Sequence, residues 1–206
     1  IKLKTINRTS TGYYDEERKN TTIQSATSIR KLLKDNKDVS NYIPNSVDIL
    51  LKDRTIIDLN DFTDQMKYIL SWTTKEEMNQ IFGFVEGFEN RLLKVRDFTS
   101  IDDLISQVIS RRYTNSKIRR MLIHLLCNTK KTVLTSFEIP YLRILGMNDA
   151  GKGLLSKIKK ELHIPLITKI KEEKHAYLEH ELLVSKIYSL VSDKDLFKEE
   201  FKPVIY

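Results

Sequence analysis

The sequence predicts a mainly α-helical fold with a minor β component, and three observations carry that prediction. From about Val47 to Asn128, apolar residues recur at helical spacing behind Ser, Thr or Asn caps. After Pro140, two short apolar runs bounded by Gly and Pro alternate with capped helical stretches and read as strands. The polar stretch from Asp35 to Ser46, with Pro44 and Asn45, separates all of this from a differently textured N-terminal part.

In chain order, Ile1 to Ile6 begins with period-2 alternation, which predicts a strand with one buried face and Arg8 just past its end. Thr9 to Thr22 is polar, contains Gly12 and reads as a loop. Ser25 is placed to cap a helix reaching about Lys34. Asp35 to Ser46 is the expected boundary, giving domains over residues 1–45 and 46–206. Phe62, Met66, Ile69 and Leu70 share one face of a helix starting near Asn60 or Asp61. Met78, Ile81, Phe82, Val85 and Leu92 mark a second helix, running through Gly83 and Gly87. Ser100-Ile101-Asp102-Asp103 opens a third in the manner of a capping box, with Leu104, Ile105, Val108 and Ile109 on its apolar face. Thr114 caps a fourth, from about Asn115 to Asn128.

The strands follow. Leu142 and Ile144 share one face of the run from Tyr141 to Leu145, Arg143 points to the other, and Gly146 ends it. Asn148 caps a helix to about Leu162, and Pro165 to Ile170 is the second strand. A last helix from Ala176 to Val191 places Leu178, Leu182, Leu183, Ile187 and Leu190 inside.

Composition excludes several classes. With 206 residues, 40% of them hydrophobic, the chain has a core and is not a disordered protein. A single cysteine, Cys127, rules out a disulfide framework and fits a reducing compartment. His124, His163, His175 and His180 make no zinc pattern with it, so no metal site is expected. No apolar run approaches the ~20 residues that span a bilayer, and no signal peptide is visible. A cytoplasmic protein without a membrane partner is the expectation. The chain opens at Ile1 rather than methionine, which suggests a fragment beginning partway through a nucleotide-handling domain.

Charge is concentrated. No acidic residue occurs from Leu104 to Phe137, a window holding Arg111, Arg112, Lys117, Arg119, Arg120, Lys130 and Lys131. Removing those seven leaves 28 basic and 28 acidic side chains, so the net charge of +7 resides in that window. Such a local field attracts polyanions. Ile118, Leu122, Leu125 and Leu126 form the core stripe of the helix there, with Lys117, Arg120 and His124 on another side and Arg119 flanking the stripe. The expected role is phosphate contact, with Tyr113 as a ring for an unpaired base. Charge alone does not separate RNA from DNA.

A second anion site is expected at Gln24-Ser25-Ala26-Thr27-Ser28-Ile29-Arg30. Free amides at a helix start, small hydroxyls and a guanidinium one to two turns on make a phosphate grip. Gly146-Met147-Asn148-Asp149-Ala150-Gly151-Lys152-Gly153 is Gly-rich but lacks the Gly-Lys-Ser/Thr ending of a nucleotide-binding loop. Cys127 has no His/Asp arrangement and is expected to be a small buried side chain, and His124 a helix-surface residue. No catalytic residue is assigned.

Taken together, these stretches resemble a known family. Ser25-Ala26-Thr27-Ser28-Ile29-Arg30 is similar to the triphosphate-binding element of the HIGH-superfamily nucleotidyltransferases. The run from Arg111 to His124, and that from Pro140 to Asn148, resemble segments of the bacterial tRNA(Met) cytidine acetate ligases. Gly12-Tyr13-Tyr14-Asp15 resembles that family's Gly-Tyr-His-Asp, with Tyr14 in place of the histidine. The resemblance covers nearly the whole chain but only the C-terminal half of the family's protein. It implies the remnant of a Rossmann-like nucleotidyltransferase domain followed by a mostly helical tRNA-binding domain. It implies ATP, with Mg2+, and acetate as substrates, elongator methionine tRNA as partner and no DNA. ATP would meet Arg8, Ser25, Thr27 and Arg30. The superfamily's His-x-Gly-His motif is not in these residues, so the fragment is expected to be inactive alone. Two alternatives stay open: a non-catalytic basic RNA-binding module, and a different nucleotidyltransferase with a small substrate.

Overall fold

Chain contacts divide the molecule into two units, Ile1–Ile56 and Ile57–Tyr206. The computed structural model describes residues 3–5, 24–51, 55–85, 87–134, 139–170 and 175–202. Arg8 and Gly12-Tyr13-Tyr14-Asp15 lie outside the described residues.

In the first unit, the Ser25 hydroxyl accepts the Ser28 amide at 3.0 Å and opens helix α1 (Ala26–Lys34) as expected. Lys31 and Lys34 sit in its last turn, against the negative end of the helix dipole. Asn36, at φ 53°, stops the helix: its amide reaches Leu33 O at 3.1 Å and that of Lys37 reaches Leu32 O at 2.8 Å, a left-handed cap. The expected boundary segment, Asp35 to Ser46, carries local structure. Val39 is buried, a single 3-10 turn spans Ser40–Tyr42, and the Pro44 carbonyl accepts from Val47 and Asp48 to start α2 (Asn45–Leu51). The expected N-terminal strand differs too. Leu3, Lys4 and Thr5 have no regular structure, and Leu3 is 92% exposed. Among the described residues no strand pairs with Leu3–Thr5 to complete a hydrogen-bond ladder.

The second unit begins with a capping box. Asp58 accepts from Asn60 and Asp61 accepts from the Asp58 amide, starting the 3-10 turn Leu59–Phe62 that continues into α3 (Thr63–Trp72). Thr74 and Glu77 form another box at α4 (Lys75–Gln80). The expected second helix is not continuous. Gly83 (φ 79°) and Gly87 (φ 88°) turn the chain where a helix would run, and α5 (Phe88–Leu92) is a separate short element. Ser100 caps α6 (Ile101–Val108), and α7 (Asn115–Leu126) follows with Thr114 before it. Ile118, Met121, Leu122, Leu125 and Leu126 face a core that includes Phe62, Met66, Met78, Phe88, Leu92, Ile101 and Leu104.

Strand β1 (Leu142–Arg143), helix α8 (Asp149–Ile158) and strand β2 (Leu166–Ile167) form a β-α-β unit. The strands are parallel, with Leu142 opposite Leu166 and Arg143 opposite Ile167. Asn148 accepts the Gly151 amide at 2.9 Å, so the Gly-rich stretch is an Asn-capped helix start. Helix α9 (Ala176–Tyr188) puts Leu178 against Ile167 and Ile170, and the short α10 (Leu196–Glu199), which the sequence did not suggest, packs back on α9. Leu190, expected inside, lies beyond α9 and is 63% exposed. The described architecture is therefore mainly helical, with a small two-stranded parallel sheet.

Candidate functional site

The start of α1 is built from short-range bonds. Ser25 is 2% exposed, its hydroxyl occupied by the Ser28 amide, and the Ser28 hydroxyl donates to Gln24 Oε1 at 3.0 Å. Ile29 N–H reaches the Ser25 carbonyl, which leaves the Ala26 and Thr27 amides without partners inside the helix. Thr27 is half-buried, Arg30 is exposed, and the first turn holds no acidic side chain. Of the three expected phosphate contacts described here, Thr27 and Arg30 are accessible, while Ser25 shapes the helix start from within.

In the second unit the basic residues fall into two groups at opposite ends of α7, a helix of 12 residues and so about 18 Å long. At its start, Ser110 and Tyr113 exchange backbone hydrogen bonds of 3.0 and 3.1 Å. This closes a tight turn whose two central residues, Arg111 and Arg112, are exposed. The Arg112 guanidinium and the Lys117 ammonium lie 5.6 and 5.7 Å from the Tyr113 ring centroid. Arg91 joins them: its guanidinium donates to the Ile109 carbonyl at 3.1 Å. Sequence reading missed Arg91 because α5 and this turn are joined only by the fold.

Tyr113 is not the surface ring that was expected. It is 5% exposed and packs on Phe88, with centroids 5.0 Å apart, so it holds the basic turn to the core. Arg119 is also diverted. Its Nε donates to Asn115 Oδ1 at 2.9 Å and its Nη2 to Asp102, which is itself fixed by Asn60. The acid-free window thus meets a carboxylate from α6 that linear sequence hides. Arg120 remains exposed.

At the other end of α7, Lys130 pairs its backbone with Ile81, and the Lys131 ammonium donates to the Asn79 carbonyl at 2.6 Å. The Glu77 carboxylate faces Lys130, and hydrogen bonds from Thr74, followed by the Lys130 charge, hold it below the usual carboxylate range. His124 is half-buried and meets the Phe82 ring edge-on at 5.2 Å. Burial, then the charges of His180 and Arg120, pushes its basicity down. Cys127 is buried, and burial raises its thiol above the ordinary value. Among the described residues no group of three or more His, Cys, Asp or Glu is placed to hold a metal ion. No helix there is long and apolar enough to cross a membrane.

The sequence and fold are similar to those of known proteins. The profile of the family described as HIGH Nucleotidyl Transferase matches residues 1–202. The tRNA(Met) cytidine acetate ligase of Listeria monocytogenes serovar 1/2a is 36% identical over 199 residues, covering 93% of this chain and 49% of the relative. The protein of the same name from Bacillus velezensis is 34% identical over 226 residues, covering 100% of this chain and 54% of the relative. The chain spans about half the length of the curated relatives it matches. The apo crystal structure of Thermotoga maritima TmcAL superposes with a TM-score of 0.83 at 23% identity, over 97% of this chain and 54% of that one. The form bound with alpha-thio ATP gives 0.75 at 21% identity, over 88% and 52%. By its sequence profile, the chain belongs to the HIGH nucleotidyltransferase family.

Proposed function

We propose that this chain is part of an ATP-dependent RNA-modifying ligase, a tRNA(Met) cytidine acetate ligase. Acetate attacks the α-phosphate of ATP, taken as its Mg2+ complex, to give acetyl-adenylate and pyrophosphate. The N4 amine of the wobble cytidine in elongator methionine tRNA then attacks the acetyl carbon, releasing AMP and a proton. The observation that carries the reading is one chain holding both an acid-free, Arg30-bearing helix start and a basic α7 surface, in a sequence whose relatives bear that name.

In this reading residues 1–45 close the nucleotidyltransferase domain and residues 46–206 carry the tRNA. The α1 amides, the Thr27 hydroxyl and Arg30 neutralise charge on the departing pyrophosphate, with Ser25 fixing the helix start and Arg8 as a further contact. Arg111, Arg112, Lys117 and Arg120, with Arg91 added, hold phosphates of the RNA. Lys130 and Lys131 act at the far end of α7. Arg119 and Tyr113 support this surface rather than contact RNA directly.

The burial of Ser25 favours a second reading, in which the cluster is only a helix cap and the chain is a non-catalytic RNA-binding module. Arg30→Ala in the intact protein separates the two. A ligase loses ATP turnover and keeps tRNA binding. Unchanged turnover would overturn the phosphate role.

A further inference from the structure

Trp72 is the only tryptophan in the sequence, and it is 55% exposed at the end of α3. One turn earlier Tyr68 is 70% exposed, and the two rings stand edge-to-face with centroids 6.4 Å apart. Met66, on the same helix, is wholly buried, so α3 turns one face to the core and these aromatic rings to solvent. Tyr68 and Trp72 keep the helical spacing of a deliberate stripe without contributing to that core.

Trp72 also walls a cleft of about 280 Å³. Ile69, Thr73, Glu77, Asn128 and Lys130 line the same cleft. Buried Ile81, Leu125 and Leu126 complete its lining, and its accessible polar side chains are Glu77, Asn128 and Lys130. Lys130 belongs to the segment that carries the whole net charge of the chain, so the partner favoured by charge is a polyanion. A π-face beside a cationic rim, a carboxamide and an ionised carboxylate is the chemistry of an unpaired nucleobase: stacking on the ring, phosphate to the ammonium, and base amino groups to Glu77.

We propose that Trp72, with Tyr68 beside it, is the stacking platform for an unpaired base of the RNA, and that Lys130 holds the adjoining phosphate. This rests on the RNA-modifying reading above and assigns it a base contact that Tyr113, being buried, does not supply. The platform and the Arg111–Arg112 turn lie at opposite ends of α7, a helix about 18 Å long.

Because Trp72 is the sole tryptophan, its emission reports this surface alone. The protein is titrated with a short RNA stem-loop and, separately, with a blunt RNA duplex of the same length, while the anisotropy of labelled RNA reports total binding. The expected result is saturable quenching by the stem-loop and little by the duplex. Trp72→Ala weakens stem-loop binding on the order of 10-fold, and Trp72→Phe retains most of it. Far-UV circular dichroism of both variants confirms folding, and Lys130→Gln reduces the salt dependence. Stem-loop binding with unmoved Trp72 emission and an unaffected Trp72→Ala variant would overturn the platform while leaving the RNA reading intact. Absence of RNA binding in every form would overturn both.

Discussion

Arg119 donates its guanidinium to the carboxylate of Asp102, tying α7 to the helix before it, α6. Both side chains are partly exposed, so the pair contributes at most about 1 kcal/mol to stability. Its larger consequence is electrostatic. Asp102→Asn removes one negative charge from the basic surface and releases Arg119, so RNA affinity at low salt should rise. Arg119→Ala should change affinity less than Arg112→Ala. Salt-dependent titrations check this: Arg112→Ala lowers the slope of log affinity against log salt by about 1, and Arg119→Ala leaves it nearly unchanged.

Gly87 and Gly153 should respond to alanine with opposite signs. At Gly87, φ is 88° and an added Cβ would sit 3.5 Å from the Tyr113 hydroxyl, an ordinary contact. The penalty is therefore in the backbone, about 1–2 kcal/mol. Gly153 lies inside α8, and an added Cβ there meets nothing within 4 Å. Alanine at that site should stabilise by about 0.5–1 kcal/mol through helix propensity. Urea midpoints of the two variants against the parent measure both.

The turns at Gly83 and Gly87 also mark what the sequence could and could not disclose. Caps at Ser25, Ser100 and Asn148 were legible because each satisfies its helix within three residues. The apolar stripe of α7 was legible for the same local reason. The break at Gly83 and Gly87 was not, since Met78, Ile81 and Val85 keep helical spacing across it. In the candidate site, the basic window and the Ser25–Arg30 stretch stood out in one dimension. The pairing of Arg119 with Asp102, the approach of Arg91 to the Arg111–Arg112 turn and the burial of Tyr113 arise from packing between elements, which no local pattern encodes.

Arg143 fastens the β-α-β unit to the C-terminal helices. Its guanidinium bonds the Glu200 carboxylate at 2.5 Å and lies 3.5 Å from Glu181, and Ser185 donates to the other Glu200 oxygen. Arg143 and Glu200 are 18% and 23% exposed, so neither partner left alone is fully rehydrated. Arg143→Ala should cost about 2–3 kcal/mol, more than the Arg119→Ala change. The Arg143→Ala, Glu200→Gln double variant should recover part of that loss. A double-mutant cycle in urea reads the coupling.

Stability should fall as the pH drops below about 6.5, the ordinary histidine value. Burial lowers the basicity of both His124 and His180, and the charges of His180 and Arg120 lower that of His124 further. The unfolded chain then binds protons near pH 6.5 that the folded chain does not, so the slope of unfolding free energy against pH is positive in that window. The loss is complete only once the pH has passed below the depressed folded values. Glu77, Asp103 and Asp195 are shifted down by their hydrogen bonds to Thr74, Thr99 and Lys198, so the stability they contribute is lost in a separate, more acidic range. His180→Gln retains a partner for the Thr129 hydroxyl, now 3.0 Å from the imidazole, while removing one titration. Urea midpoints measured from pH 8 to pH 5 should therefore decline less steeply in that variant. An unchanged slope would mean that His180 titrates alike in both states.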